Sequence, residues 1–313
     1  MSSLVVESAG LLTTVQDLGR EGYGPQGVSP SGAADPIALR LGNLLVGNEA
    51  NTAALEMTLL GGSLVFPEGA VIALAGADFG ATLNGQPLLL WTPHAVLPGM
   101  KLSFGATRNY ARCYLSIAGG IKVPPFLGSA STHLLSGLGG FQGRALRKGD
   151  VLEIGAPTKS MRRRKIAPKI LETWRPGKTL RVTDGPQLDW FSEEARRALF
   201  QNTFRVSEES DRMGLRLEGP RLAAKNLGEM ITEGVTLGAI QVAPSGQPII
   251  LFVEQQTSGG YPKVANVIGA DMHSVGQLRP RDEVRFEQIP LASARSLWIE
   301  QQRLLASHEE LFA

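Results

Sequence analysis

Three stretches of the chain gather side chains suited to handling oxyanions. The first runs through Gln16, Asp17 and Arg20 to Ser31 and Asp35. The second holds Ser129, Ser131 and Thr132, with Arg144 following a glycine-rich turn at Gly139-Gly140-Phe141-Gln142-Gly143. The third joins Asp211 and Arg212 to Gln256, Thr257, Gly259, Gly260, Tyr261 and Lys263. Hydroxyls and glycine N–H groups cradle carboxylate or phosphate oxygens, and arginine grips an oxyanion through two N–H groups at once. Arg20, Arg144, Arg212 and Lys263 supply positive charge, while Asp17 and Asp211 have the chemistry of a base or of a partner that orients an arginine. Asp211 and Lys263 are the candidates for catalysis, and the other residues are candidates for binding substrate or nucleotide. Each stretch alone is also ordinary turn chemistry for a β-rich chain. Three together favour a site, with the first and third expected to face a shared groove between lobes.

Other catalytic signatures break down on inspection. Gly22-Tyr23-Gly24-Pro25-Gln26-Gly27 has the glycine spacing of a dinucleotide site, but no apolar strand leads into it and Pro25 sits inside the turn. Gly177-Lys178-Thr179 ends like a phosphate loop, yet Glu172 stands where the earlier glycine is needed. His94, His133, His273 and His308 are scattered without metal-ligand spacing. They are expected in turns or at the surface, with no metal site. No Met-Lys-Met biotin-attachment motif is present, so no biotin is expected on this chain.

The elements that must position these residues are mostly short strands. Glycine makes up 37 of 313 residues and proline 19, against an average glycine share of ~7%. Short strands joined by tight turns would give this composition. Residues 71–75, 114–118 and 151–154 read as strands, and Asn84-Gly85 between apolar runs predicts a type I′ hairpin turn. Residues 35–45 predict a helix capped by Asp35 with Pro36 in its first turn. In the second half a strand is expected at 179–183, a short helix at 192–200 and a helix over 291–311.

This reading gives a mainly β protein of two lobes. The expected boundaries are 1–157 for the first lobe, 158–178 for a linker containing the basic run Arg162-Arg163-Arg164-Lys165, 179–290 for the second lobe and 291–313 for the terminal helix. Residues 145–154 echo 277–286, with Leu, Arg and Asp in register, as duplication of one lobe would produce.

Formal net charge is +2, which gives no electrostatic basis for a nucleic-acid partner. The single cysteine, Cys113, excludes an intrachain disulfide and favours a reducing, cytoplasmic compartment. No signal peptide is visible, and no apolar run approaches the ~18–20 residues that span a bilayer. No membrane association is expected.

Five motifs in order add a resemblance: Thr14-Val15-Gln16-Asp17-Leu18-Gly19-Arg20, Leu45-Val46-Gly47-Asn48, Ala54-Leu55-Glu56, Ser210-Asp211-Arg212-Met213-Gly214 and Thr257-Ser258-Gly259-Gly260-Tyr261-Pro262-Lys263. Over about residues 4–290 the chain resembles the allophanate hydrolase subunit 2 family. That family includes the C-type subunit of bacterial 5-oxoprolinase and an antagonist of a sporulation-kinase inhibitor. It is also similar to part of the carboxyltransferase region of urea carboxylase.

The resemblance implies two cyclophilin-like β-barrel lobes and a hetero-oligomer with a subunit 1 type partner, the B-type component of 5-oxoprolinase. A third component, an A-type hydrolase, is also implied. The implied reaction is ATP-dependent opening of 5-oxo-L-proline to L-glutamate, with ATP and magnesium entering at the level of the complex. Biotin-dependent carboxyl transfer to urea or a similar amide is one alternative, and non-enzymatic binding of a histidine-kinase inhibitor is another. The chain departs from the family pattern at Glu254-Gln255-Gln256, Ala130, His133 and Pro280-Arg281-Asp282.

Overall fold

The computed structural model describes residues 2–157, 164–225 and 230–313. The protein is mainly β, and its chain divides into two compact units. One comprises Met1–Arg20, Ser31–Arg175 and His308–Ala313; the other comprises Glu21–Pro30 and Pro176–Ser307.

The first unit is built from β1 (Ser2–Ser8), β2 (Leu12–Gln16), helix α1 (Pro36–Leu45), β3 (Ala54–Thr58), β4 (Ser63–Phe66), β5 (Ala70–Gly76), β6 (Thr82–Leu83), β7 (Gln86–Pro87), β8 (Pro93–Val96), β9 (Met100–Ser103), β10 (Arg112–Ile117), β11 (Ile121–Lys122) and β12 (Val151–Ile154). One sheet has the order β11-β12-β1-β4-β9-β6-β7 and the other β2-β3-β10-β5-β8. Alternating residues such as Leu4, Leu55, Phe66, Leu74 and Leu115 point into a common core. Strand β10 is buried along its whole length, because its second face lies under α1, where Tyr114 meets Leu39 and Ala75. Gly42 permits that approach: a Cβ there would lie 2.8 Å from the Ser116 hydroxyl oxygen. Asp35 caps α1 as expected, accepting from the Ile37 and Ala38 N–H groups at 3.1 and 2.9 Å. Asn84 and Gly85 have φ of 46° and 83° in the turn between β6 and β7, which is the conformation a type I′ turn needs.

Residues 158–163, including Arg162 and Arg163 of the basic run, lie outside the described residues. Arg164 sits over the Phe312 ring, 4.9 Å from its centroid. The rest of the stretch read as a linker contains a helical turn, α2 (Pro168–Thr173). Ile166, Ile170 and Trp174, spaced by four residues, are all buried.

The second unit is a closed barrel of β13 (Thr179–Asp184), β14 (Phe204–Val206), β15 (Gly214–Glu218), β17 (Ala239–Val242), β18 (Pro248–Leu251), β20 (Lys263–Val267) and β21 (Glu283–Gln288). It also carries a separate two-stranded ribbon of β16 (Glu233–Gly234) and β19 (Ser258–Gly259). The barrel closes through a parallel pairing of β13 with β21. Leu180, Phe204, Ile240, Ile250 and Phe286 are among its buried residues, and the Phe204 and Phe286 rings meet at 5.8 Å between centroids. Helices α3 (Glu193–Gln201), α4 (Met272–Gly276) and α5 (Leu291–Ala306) lie outside the barrel strands, and α6 (His308–Leu311) belongs to the first unit. Helix α5 packs Ala294 against Ile268 and Ala270, and the Gln301 side chain donates to the Ala270 carbonyl at 2.9 Å. No helix among the described residues is long and apolar enough to cross a membrane.

The sequence echo is also a geometric one. In the first unit the Arg147 N–H donates to Asp150 Oδ2 at 2.7 Å, and the Val6 N–H donates to the Asp150 carbonyl at 2.9 Å. In the second, the Arg279 N–H donates to Asp282 Oδ2 at 2.9 Å, and the Val206 N–H donates to the Asp282 carbonyl at 2.9 Å. Gly149 has φ of 91° and Arg281, at the same place in its turn, has φ of 71°.

Candidate functional site

The first two polar stretches come together in the first unit, around Asp17. Its Oδ1 accepts from the Gly19 N–H at 2.8 Å, Ser129 Oγ at 2.6 Å and Ser131 Oγ at 2.5 Å. Its Oδ2 accepts from the Ala130 N–H at 2.7 Å. A carboxylate with that many donors is a structural hub, so Asp17 organises the loop rather than standing ready as a base. Arg20, also buried, donates to the Phe126 and Ser131 carbonyls and lies over the Phe126 ring. Thr132 donates to the Val15 carbonyl at 2.9 Å, and the Gln16 side chain donates to Thr14 Oγ1 at 3.0 Å and to the Thr132 carbonyl at 3.2 Å. Ser31 is buried in a left-handed conformation, with φ of 55°.

Asp35 belongs to a second buried network. Its N–H donates to the Tyr114 hydroxyl oxygen at 2.7 Å, and that hydroxyl donates to Glu56 Oε2 at 2.7 Å. Glu56 also accepts from the Ala34 N–H at 2.8 Å and faces Arg112 at 3.6 Å. Burial first, then the Glu56 and Asp35 carboxylates, push the Tyr114 phenol well above its ordinary range. Arg144 stands apart from both networks. Its two terminal nitrogens hold Asp150 at 2.7 and 2.8 Å, so the fork expected to grip an external anion is filled by a neighbour. The hydrogen bond from Arg144 is the leading cause that holds the Asp150 carboxyl below the usual carboxylate range. Two histidines expected in turns or at the surface, His133 and His273, are buried instead. Cys113 is a free buried thiol, pushed up by desolvation.

The third stretch lies in the second unit. Exposed Asp211 closes a short turn, accepting from the Met213 and Gly214 N–H groups at 2.8 and 3.2 Å. Arg212 points the other way, into a buried pair with Glu254. Backbone bonds from Glu254 to the Arg212 carbonyl and from Phe252 to the Met213 carbonyl fasten this turn to the segment carrying Gln255, Gln256 and Thr257.

Lys263 opens β20 with its side chain only 5% exposed, and its ammonium pairs with Glu233, whose side chain is 45% exposed. The Gln187 side chain joins both partners. Its Oε1 accepts from the Lys263 N–H at 3.1 Å, and its Nε2 donates to Glu233 Oε1 at 2.9 Å. A Cβ on Gly259 would lie 2.8 Å from both the Gln241 and Gln256 amide nitrogens, so glycine here keeps room for two donors. Gln255 Oε1 is buried without a hydrogen-bond partner among the described residues. Gly260 and Thr257 are partly exposed, and Tyr261 is 40% exposed at the edge.

Around β19 and the start of β20 the second unit therefore gathers the Lys263 ammonium, several amide donors and the Gln255 acceptor. Asp211, Arg212, Gln256, Thr257, Gly259, Gly260, Tyr261 and Lys263 belong to this unit, whereas the other candidates belong to the first. Glu233, Gln187, Gln241 and Gln255 were not among the sequence candidates. Gln255 carried one signal, the glutamine density beside the Thr257–Lys263 motif, whereas Gln187, Glu233 and Gln241 are brought in from other parts of the chain.

Comparison with known proteins adds four relationships. The carboxyltransferase domain model, subdomains A and B, matches residues 26–288. The chain is 38% identical over 300 residues to the C-type subunit of 5-oxoprolinase from Escherichia coli (strain K12), an alignment covering 96% of each chain. It is 37% identical over 318 residues to urea amidolyase of Saccharomyces cerevisiae, covering 95% of this chain but 17% of that one. The structure of Kluyveromyces lactis urea carboxylase superimposes with a TM-score of 0.90 at 33% identity, over 99% of this chain and 30% of that one.

Proposed function

Because the chain belongs to the carboxyltransferase domain family, subdomains A and B, we propose that it is the C-type subunit of an ATP-dependent 5-oxoprolinase. The complex converts 5-oxo-L-proline, ATP and water into L-glutamate, ADP and phosphate in the cytoplasm. Its partners are a subunit 1 type (B-type) protein and an A-type hydrolase, and ATP with magnesium is the co-substrate of the complex. The observation that carries this reading is the near-full-length correspondence with the Escherichia coli protein, 96% of each chain. The urea enzymes match it only as a small part of a longer chain.

The chemistry of the second unit supports the reading. A lactam is an unreactive amide. Transfer of the terminal phosphoryl group of ATP to its carbonyl oxygen releases ADP and creates a leaving group. Water then adds to that carbon, the ring C–N bond breaks as nitrogen takes up a proton, and a second water cleaves the resulting acyl phosphate into the glutamate carboxylate and phosphate. Positioned donors are needed to hold the oxygens during such a sequence. Lys263 and the Gln241 and Gln256 amides are donors of this kind. The buried Gln255 Oε1, which lacks a donor, suits the lactam N–H, because an unfilled buried acceptor gains by being paired.

The test is co-purification with the neighbouring subunit 1 type protein, followed by ADP formation with and without 5-oxo-L-proline. Turnover that rises with 5-oxo-L-proline, with glutamate released once the A-type hydrolase is added, is the expected result. A stable complex with no such rise would remove the reading. A second reading is carboxyl transfer to urea or a similar amide from biotin carried on another chain, and the TM-score of 0.90 with urea carboxylase favours it. Biotin-dependent carboxylation of urea by the complex would select it.

A further inference from the structure

Lys263 and Glu233 form an unequal pair. The lysine side chain is 5% exposed and the glutamate side chain 45%. A buried ammonium without a counter-charge is costly, so something anionic must stand beside it. In this structure that anion is Glu233, whose Oε1 takes both the Lys263 ammonium and the Gln187 amide N–H. Lys263, by hydrogen bonding first and Gln187 second, holds the Glu233 carboxyl below the usual carboxylate range.

The tether on Glu233 is slight. It lies on β16, which among the described residues pairs only with β19, through Glu233↔Gly259 and Gly234↔Ser258. Two-residue ribbons outside a larger sheet open at little cost. Beside it, Gln255 reaches the Val235 carbonyl through Nε2 at 3.5 Å and leaves its Oε1 without a donor.

We infer that the Glu233 carboxylate is a resident stand-in for the carboxylate of the substrate, which must displace it to reach Lys263. This rests on the proposed 5-oxoprolinase reading and sharpens it. Withdrawal of Glu233 frees two donors already converged on one carboxylate oxygen, the Lys263 ammonium and the Gln187 amide. A small amide that also carries a carboxylate satisfies both, and its N–H completes Gln255. A neutral amide cannot replace the lost charge. Glu233 thus sets the threshold for occupancy, because a ligand that binds only the opened state has its affinity reduced by the fraction of protein that is open.

The experiment uses the purified complex with its subunit 1 type partner and compares wild type with Glu233→Gln by calorimetry. The probes are 5-oxo-L-proline, 2-pyrrolidinone (the same ring without a carboxylate) and glutarate. Glu233→Gln is expected to bind 5-oxo-L-proline and glutarate about tenfold more tightly, with 2-pyrrolidinone unchanged. The added substitution Lys263→Met is expected to abolish the gain. If neither carboxylate binds more tightly to Glu233→Gln, the inference is overturned, even where wild type turns over 5-oxo-L-proline. A gain for glutarate alone would uphold the stand-in and remove 5-oxo-L-proline as the substrate. Should Glu233→Gln fail to fold, Glu233→Ser, which admits water beside the ammonium, carries the same comparison.

Discussion

A carboxylate that accepts four hydrogen bonds, one from its own loop and three from residues 129–131, as Asp17 does, is placed to hold structure. Asp17→Asn turns one acceptor oxygen into a donor facing other donors. It is therefore expected to lower stability by about 3 kcal/mol, read as a shifted urea midpoint. Tyr114 gives a pH-dependent counterpart. Its phenol is raised well above 10.0 in the folded protein by burial, Glu56 and Asp35, whereas an unfolded tyrosine ionises near ~10. Its contribution is therefore intact below pH ~10 and is lost as pH rises above that value. Tyr114→Phe is expected to cost about 1–3 kcal/mol at neutral pH and to lack this part of the alkaline loss. Urea unfolding of both proteins from about pH 8 to pH 11 checks it, and parallel pH curves would contradict it.

At the scale of elements, the repeated Arg-x-x-Asp turn ahead of β12 and β21 shows how one backbone solution is met by different residues. Position 149 is glycine with φ of 91°, while position 281 is arginine with φ of 71°. A side chain in the left-handed region costs about 1 kcal/mol. The Arg281–Glu208 ion pair it gains is exposed on both sides, at 76% and 66%, and such pairs contribute little. Arg281→Gly is therefore expected to stabilise the protein by up to about 1 kcal/mol, seen as a higher denaturation midpoint. A fall would show that Arg281 is held for another reason. The Asp35 cap, the Asn84-Gly85 turn and helix α5 were legible in the sequence, because each rests on residues adjacent in the chain; the break at Ser307, after which α6 belongs to the first unit, was not. Helix α2 was not, because Ile166, Ile170 and Trp174 lie among basic residues and prolines that mask the four-residue spacing.

For the whole molecule, the proposal requires other chains. The isolated protein is expected to show no 5-oxo-L-proline-dependent ATP turnover, and adding the subunit 1 type partner is expected to confer it. Within that complex, Lys263→Met is expected to lower the stimulated rate by about 100-fold or more while leaving co-purification intact, as measured by ADP release and size-exclusion chromatography. Loss of the complex itself would mark Lys263 as a structural residue.

The sequence alone determined the mainly β character, the hairpin and cap positions, the duplicated turn and the family motifs. Turn conformation and strand alternation are local properties, and the motifs are runs of adjacent residues. Tertiary structure alone decided the roles of the polar residues within those motifs. Hydrogen bonding turned Asp17 into a loop hub and filled the Arg144 fork with Asp150. Folding of the second unit brought Gln187 and Lys263 onto one carboxylate oxygen of Glu233. No spacing rule reports such a meeting, because burial and pairing depend on which distant segments the fold brings together.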